Sequence, residues 1–218
     1  MKKKSDPGAF IARNWYFYVL WIVVVVFVWE GIFQFLTKYK DEESVYCFFG
    51  AERVTTDAVS GDFNALKPEY VKNVDITARS SRTEGFELLF STDGVRHGDL
   101  FVLPEAFCDE STMRSYFYPM DPSVVKEVFG EGADTGIAVA GDKVYGIKVY
   151  DKETDTAIAS EYFDYTYTDS DGAKRAVGDY YLFFGKKSLH LGKISGSEAD
   201  GAIVFAQAIL GKGASLVK

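Results

Sequence analysis

Residues 15–37 read WYFYVLWIVVVVFVWEGIFQFLT, a 23-residue apolar run whose only polar members are Glu30, Gln34 and the closing Thr37. Coiled as a helix it would reach about 34 Å, enough for a hydrocarbon layer of roughly 30 Å. Its circumference is apolar all round, including the four valines 23–26. A helix on a globular surface needs one wet face, so this one is expected in lipid. Trp15, Tyr16 and Tyr18 at one end, and Trp29 with Tyr39 toward the other, suit interfacial aromatic belts. Glu30 lies near the far end, where a carboxyl reaches the interface below the midplane cost of about 3 kcal/mol. Bulky Ile32, Phe33, Phe35 and Leu36 follow, with no small-x-small cleavage site. Val45 and Tyr46 precede Cys47 where a lipid-attachment signal needs a small residue. The run therefore reads as an uncleaved signal-anchor.

Charge sets the expected orientation. Lys2, Lys3, Lys4 and Arg13 precede the run, against Lys38 and Lys40 just after it. The positive-inside rule puts residues 1–14 in the cytoplasm as a basic tail, 15–37 across the cell membrane, 38–43 as a linker and 44–218 outside as an extracytoplasmic domain. From Lys38 onward there are 20 basic and 30 acidic residues, about −10. Such a surface repels phosphate backbones, which excludes nucleic acid as a partner and leaves the bilayer as the expected one.

The remaining length suits one ordinary domain. Residues 44–49 (SVYCFF) read as a buried strand ended by Gly50, and 51–61 as a loop or weak helix. Phe63, Leu66, Tyr70 and Val71 give near-helical spacing over 62–73, interrupted by Pro68. Residues 74–78 alternate as a strand; 83–92 read as a helix closed by Asp93-Gly94. A strand over 99–103 and a helix over 106–116 follow. Asp121-Pro122 starts a helix that runs to Phe129 and stops at Gly130. Strands 136–140 and 143–150 flank a Gly141-Asp142 turn. Further strands are expected over 162–168 and 180–184. Ser197 and Asp200 resemble a capping box for a mostly apolar final helix, 198–210, which must be buried or face a partner. Alternation first and hairpins later implies an α/β fold: a mixed sheet with helices on its faces.

Motifs of chemistry are sparse. His97 and His190 have no second His or Cys at ligand spacing, so no metal and no cofactor is implied. Asp151-x-Glu153-x-Asp155 departs from a calcium loop at Thr156 and Tyr162, and reads as a solvated turn. Cys47 and Cys108 match no zinc or redox spacing; they are either one disulfide or two buried thiols. Cys108 follows a strand end, and a Cys–His pair with His97 or His190 would make a small thiol enzyme; the alternative is a packing Cys in a helix. Tyr165 and Tyr167 would share one strand face.

Segments 45–50, 75–81, Gly98-Asp99-Leu100-Phe101-Val102-Leu103-Pro104 and Tyr118-Pro119-Met120-Asp121 together resemble the first lobe of a bacterial extracellular solute-binding protein. Val144-Tyr145-Gly146-Ile147 is similar to its crossing strand, with Lys148 in place of the usual Pro. Residues 180–188 and 198–210 are similar to its returning strand and late helix. The resemblance implies a periplasmic-binding-protein-like fold of type II. Only about 32 residues, 148–179, stand where that family has a second lobe, so one lobe and a hairpin are expected. It further implies a ligand cleft at the strand ends, edged by Phe49, Gly50, Ser80, Ser81, Pro104 and Glu105. The chain thus reads as a membrane-anchored, non-enzymatic binding or interaction module, with a transporter or other membrane protein as its expected partner. The rival readings are the thiol enzyme and a structural ectodomain without ligand.

Overall fold

The computed structural model describes residues 7–37, 39–130 and 136–211, with side chains of the first helix described from Trp15 to Ile32. The chain divides into two compact units, residues 1–40 and 41–218. The first holds α1 (Pro7–Thr37), which begins well before the apolar run; the lysines at 2–4 lie outside the described residues. Its Trp15–Ile32 window has a mean hydropathy of 1.9, is 0% buried, and is long enough to cross a bilayer. That single helix is consistent with single-pass association with lipid.

In the second unit, residues 41–43 are not a free linker but a 3-10 turn tied down at once. The Lys72 N–H donates to the Glu43 carbonyl at 2.8 Å, and the Lys72 ammonium pairs with the Glu43 carboxylate at 2.6 Å. There follow β1 (Ser44–Phe49), β2 (Arg53–Val54), α2 (Thr56–Leu66), β3 (Asn73–Ala78), α3 (Phe86–Leu89), a π turn (Phe90–Gly94), α4 (Val95–His97) and β4 (Leu100–Pro104). Then come a 3-10 turn (Glu105–Phe107), α5 (Glu110–Tyr116), α6 (Pro122–Phe129), β5 (Ile137–Ala140) and β6 (Lys143–Asp151). Short strands β7 (Thr156–Ala157), β8 (Phe163–Asp164), β9 (Thr166–Thr168) and β10 (Lys174–Ala176) precede β11 (Tyr180–Phe184) and α7 (Gly201–Gly211).

The main sheet runs β3-β1-β4-β11-β6-β5, with β7 on β6. β1 pairs in parallel with β3 and β4, while β11 pairs antiparallel with β4 and β6, so the sheet is mixed. Helices cover both faces. Val45, Cys47 and Phe49 of β1, with Leu100, Val102, Leu182 and Phe184, pack against Val59 and Phe63 of α2 and Phe205, Ala206 and Ile209 of α7. Phe48, Phe101, Leu103 and Phe183 face the other way, onto Phe86, Phe90, Met113 and Phe117. Burial on both faces is why these strands read as continuous apolar runs rather than alternating ones. Gly146 sits in the middle of β6 because a Cβ there would lie 2.7 Å from the Phe183 ring, which stacks on Phe117 at 4.2 Å.

Several local expectations are corrected. Helix α2 covers 56–66, not 62–73; Pro68 bars its continuation, and Leu66 faces solvent. The helix expected over 83–92 starts only at Phe86 and passes through Asp93-Gly94 to His97, because Gly94 stays right-handed in the π turn. The helix expected over 106–116 is broken: α5 begins after Asp109, whose carboxylate caps the Thr112 N–H at 3.0 Å. Asp121 precedes α6 without a side-chain cap and pairs instead with Lys143 at 2.5 Å. The strand expected over 162–168 splits into β8 and β9, and β9 forms a hairpin with the unforeseen β10.

The last helix starts at Gly201 rather than 198. Its first amides are held by a side chain distant in sequence: the Tyr70 hydroxyl accepts the N–H groups of Asp200 and Gly201, both at 2.7 Å. Ser197 bonds the Ala199 carbonyl instead. The apolar surface of α7, which pointed to a partner, is largely spent inside the domain's own core.

The excursion that stands where a second lobe was expected is cinched at its base. The Lys148 ammonium bridges Asp179 at 2.6 Å and Asp151 at 3.0 Å, one from each stem. Asp151 is held down to about 2, first by the Thr154 backbone N–H and then by Lys148. A hinge between lobes needs a few residues free to change φ and ψ; here the stems are cross-linked to each other.

Candidate functional site

The chain leaves β1 toward β3 on one side and later returns to β4 on the other, so strand order switches at β1. In open α/β sheets the crevice outside the carboxyl ends at such a point is where ligands sit. Here those ends are followed by Gly50–Glu52, 79–82 and the turn Glu105–Phe107, with Tyr180 opening β11 beside them.

The six residues expected at this edge fall into three roles. Phe49, Gly50 and Pro104 are buried and form its floor. The Phe49 ring packs edge-on against Phe163 at 5.0 Å. The Gly50 N–H donates to the Val102 carbonyl at 2.7 Å, and a Cβ there would meet Phe86 at 2.9 Å, which explains the glycine. Ser80 and Ser81 stand in the crevice itself. Glu105 turns away: its carboxylate accepts the Asp179 N–H at 3.2 Å, and its N–H donates to the Asp179 carbonyl at 2.8 Å, fixing the entry to β11.

Three residues that sequence reasoning missed complete the crevice. The Ser80 hydroxyl donates to Glu52 Oε2 at 2.9 Å and accepts the Arg82 N–H at 3.2 Å. The Arg82 guanidinium lies 3.8 Å from Glu52 Oε2 and over the Tyr167 ring, its carbon 3.4 Å from the ring centroid. The Glu52 side chain is only 8% exposed. Among the described residues Glu52 Oε1, the Ser81 hydroxyl and the Tyr180 hydroxyl are buried without a hydrogen-bond partner. The Ser81 hydroxyl is close enough to the Tyr180 phenol to favour its ionised form, an effect smaller than that of burial. Burial pushes Tyr180 up to about 12, so at neutral pH it is an un-ionised donor and acceptor. A charged residue two positions past a strand is a weak sequence signal for Glu52, and Tyr180 reads as core; only the folded sheet brings them together.

Beyond Arg82 opens a cleft of about 1340 Å³, walled by Tyr150, Phe163, Tyr165 and Tyr167 and by Lys152 and Lys174. Tyr165 and Tyr167 both line it, but by different contacts: Tyr165 stacks on Tyr150 at 5.0 Å, while Tyr167 carries Arg82. The Asp151 turn is already occupied, its Oδ1 accepting the N–H groups of Glu153 and Thr154 at 3.0 Å.

The surroundings of Cys108 disfavour its thiolate. Cys108 lies just past the 3-10 turn, half-buried, rather than within a helix. Burial first, then the carboxylates of Glu105, Asp179 and Asp109, push its thiol up to about 12. Neither histidine hydrogen-bonds to it among the described residues. Buried His190 lies at the opposite end of the sheet, Nε2 3.1 Å from the carbonyls of Asp41 and Ser44, its ring stacked on Tyr70. His97 lies 6.5 Å from the Tyr46 ring. Cys47 and Cys108 pack on opposite faces of the sheet and are both free. Since the thiolate is the reactive form, iodoacetamide at pH 8 is expected to label Cys108 at least a hundredfold more slowly than glutathione. Labelling at the glutathione rate would contradict this environment.

Fold and site together define an α/β domain with a mixed sheet and a crevice at its parallel strand ends, preceded by one long apolar helix. No family model matches the chain, and no curated protein does. Among solved structures it is similar to the maltodextrin binding protein MalE1 from L. casei BL23 without ligand, with a TM-score of 0.33 and 18% identity. That similarity covers 48% of this chain and 28% of the other, so it spans little more than a quarter of that protein.

Proposed function

We propose that this protein is a membrane-anchored, extracytoplasmic binding module that holds a ligand at the carboxyl ends of β1, β3 and β4. One observation carries the reading: beneath the carboxyl ends of the parallel strands, Glu52 Oε1, Ser81 Oγ and the Tyr180 hydroxyl are buried without hydrogen-bond partners among the described residues, and Arg82, paired with Glu52, lines the neighbouring cleft. A buried polar group left unpaired costs about 1–3 kcal/mol, so a partner for Glu52 Oε1 from another molecule would be favourable here. The resemblance of residues 44–210 to a solute-binding lobe supports the same role. The basic residues ahead of the apolar run support an exported domain, tethered where it would meet a membrane partner. The Lys148 clamp favours a rigid crevice over a closing clamshell.

The test is a thermal-shift screen of the full chain in detergent against sugars, amino acids and short peptides. At least one class is expected to raise the unfolding temperature saturably, and Glu52→Gln to weaken that response. No saturable shift with any class would contradict a binding role.

A further inference from the structure

Depth explains how Glu30 is tolerated in α1, but not which side of the helix it takes. An α-helix turns by about 100° per residue, so positions 30, 34 and 37 fall within about 60° of one another seen down the axis. They hold Glu30, Gln34 and Thr37, the polar members of the apolar run. Followed back toward the N-terminus at spacings of three and four, the same face holds Val26, Val23 and Val19. Trp21 stands opposite, with Phe17, Val25 and Val28 beside it.

Lipid tails offer no hydrogen bonds, so lipid alone gives no reason to gather the polar residues on one side. Helix pairs in membranes do: short side chains let the backbones approach, and polar ones bond across. Valine suits such a seam, because in a helix it already keeps one rotamer and loses little order on packing. Among the described residues no second helix is long and apolar enough to lie beside α1 in a membrane.

A second copy of α1 meets the need without any further design. Identical chains insert the same way round, since the basic residues ahead of the run set the orientation. The two faces then run parallel, with position 30 of each copy at the same depth. The chemistry is self-complementary as well. A glutamine amide both donates and accepts, and a carboxyl accepts whether or not it holds a proton. Across a two-fold axis each Gln34 lies one helical turn in depth from the partner's Glu30, so both bonds form together.

We infer that α1 is a dimerisation element as well as an anchor: two copies pack in parallel along Val19, Val23, Val26, Glu30 and Gln34, with Gln34 of each bonding Glu30 of the other. The module is thereby bivalent, whatever its crevice binds.

Cysteines placed singly along α1 test this in membranes carrying the full-length chain, with copper phenanthroline as the oxidant. The parent chain is the background, since Cys47 is buried and the Cys108 thiol is pushed up to about 12. Val23→Cys and Val26→Cys are expected to give roughly fivefold more disulfide-linked dimer than Val25→Cys and Val28→Cys on the opposite side. Adding Glu30→Leu and Gln34→Leu to the Val26→Cys chain is expected to cut its yield roughly fivefold, while the chain stays in the membrane pellet. Glu30→Gln keeps an acceptor at this position and is expected to keep the dimer.

Equal yields from both sides, or no dimer from either, would overturn the pairing. An undiminished yield with leucine at both 30 and 34 would overturn the polar contact as its cause. A cross-link to a chain of different mass would give the face to another protein and refute the second copy as its occupant.

Discussion

Phe205→Ala is expected to destabilise the domain by about 3–5 kcal/mol, the range for emptying a fully buried aromatic site. Phe205 is 0% exposed and stacks on Phe63 with centroids 4.3 Å apart and planes 3° from parallel. The pair joins α7 to α2 across one face of the sheet, with Ala202, Ala206 and Ile209 packed around it. The Ala202 and Ala206 methyls beside it are too short to refill that space. Against a total stability of about 5–15 kcal/mol, the loss would leave the variant close to unfolding at 37 °C. Urea unfolding of the full chain in detergent reads it directly. Phe63→Ala combined with Phe205→Ala should fall short of additivity by about 0.5–1.5 kcal/mol, the share belonging to the ring pair itself. A loss under 1 kcal/mol for Phe205→Ala would mean that α7 does not close this core.

The second large effect concerns α1. Arg at the centre of a span costs about 2.5–3.5 kcal/mol for insertion, so Val25→Arg with Val26→Arg should raise the cost by roughly 5–7 kcal/mol. Both positions lie within the apolar Trp15–Ile32 window, with no charged residue until Glu30. The doubly substituted chain is expected in the alkaline-wash supernatant, whereas the parent stays in the membrane pellet. Glu30→Leu should leave the parent's behaviour unchanged, since a carboxyl at that depth reaches the interface. Retention of the double variant in the pellet would show that something other than α1 binds the membrane.

Part of this fold was legible because its signals are local. The runs SVYCFF, LFVLP and YYLFF declare strands by being apolar on both faces, and Asp121-Pro122 with Gly130 frames α6 by backbone chemistry alone. What stayed hidden depends on contacts between distant residues. The amides that open α7 are held by Tyr70, 130 residues away, so the nearby Ser197 was a false signal. The extent of α3 through α4 depends on Gly94 being helical beneath Phe90 and Phe48, which its local pairing with Asp93 contradicts. The β9–β10 hairpin is too short and polar for periodicity to register.

The site divides the same way. Strand ends in the sequence point to this edge, and Ser80 and Ser81 lie at the end of β3 there. Phe49, Gly50 and Pro104 turned inward because the floor of a crevice is also the roof of a core. Glu52 and Tyr180 acquire meaning only from unsatisfied hydrogen bonds, which no spacing in a sequence encodes.

The account as a whole requires the crevice to face the outside of the cell on an intact tether. Lys174→Cys puts an exposed thiol on the cleft rim, against a quiet background in which Cys47 is buried and Cys108 protonated. A membrane-impermeant maleimide added to intact cells should label the full-length protein in the membrane fraction as fast as it does after lysis. Labelling that appears only once the cells are broken would place the domain in the cytoplasm and contradict the account.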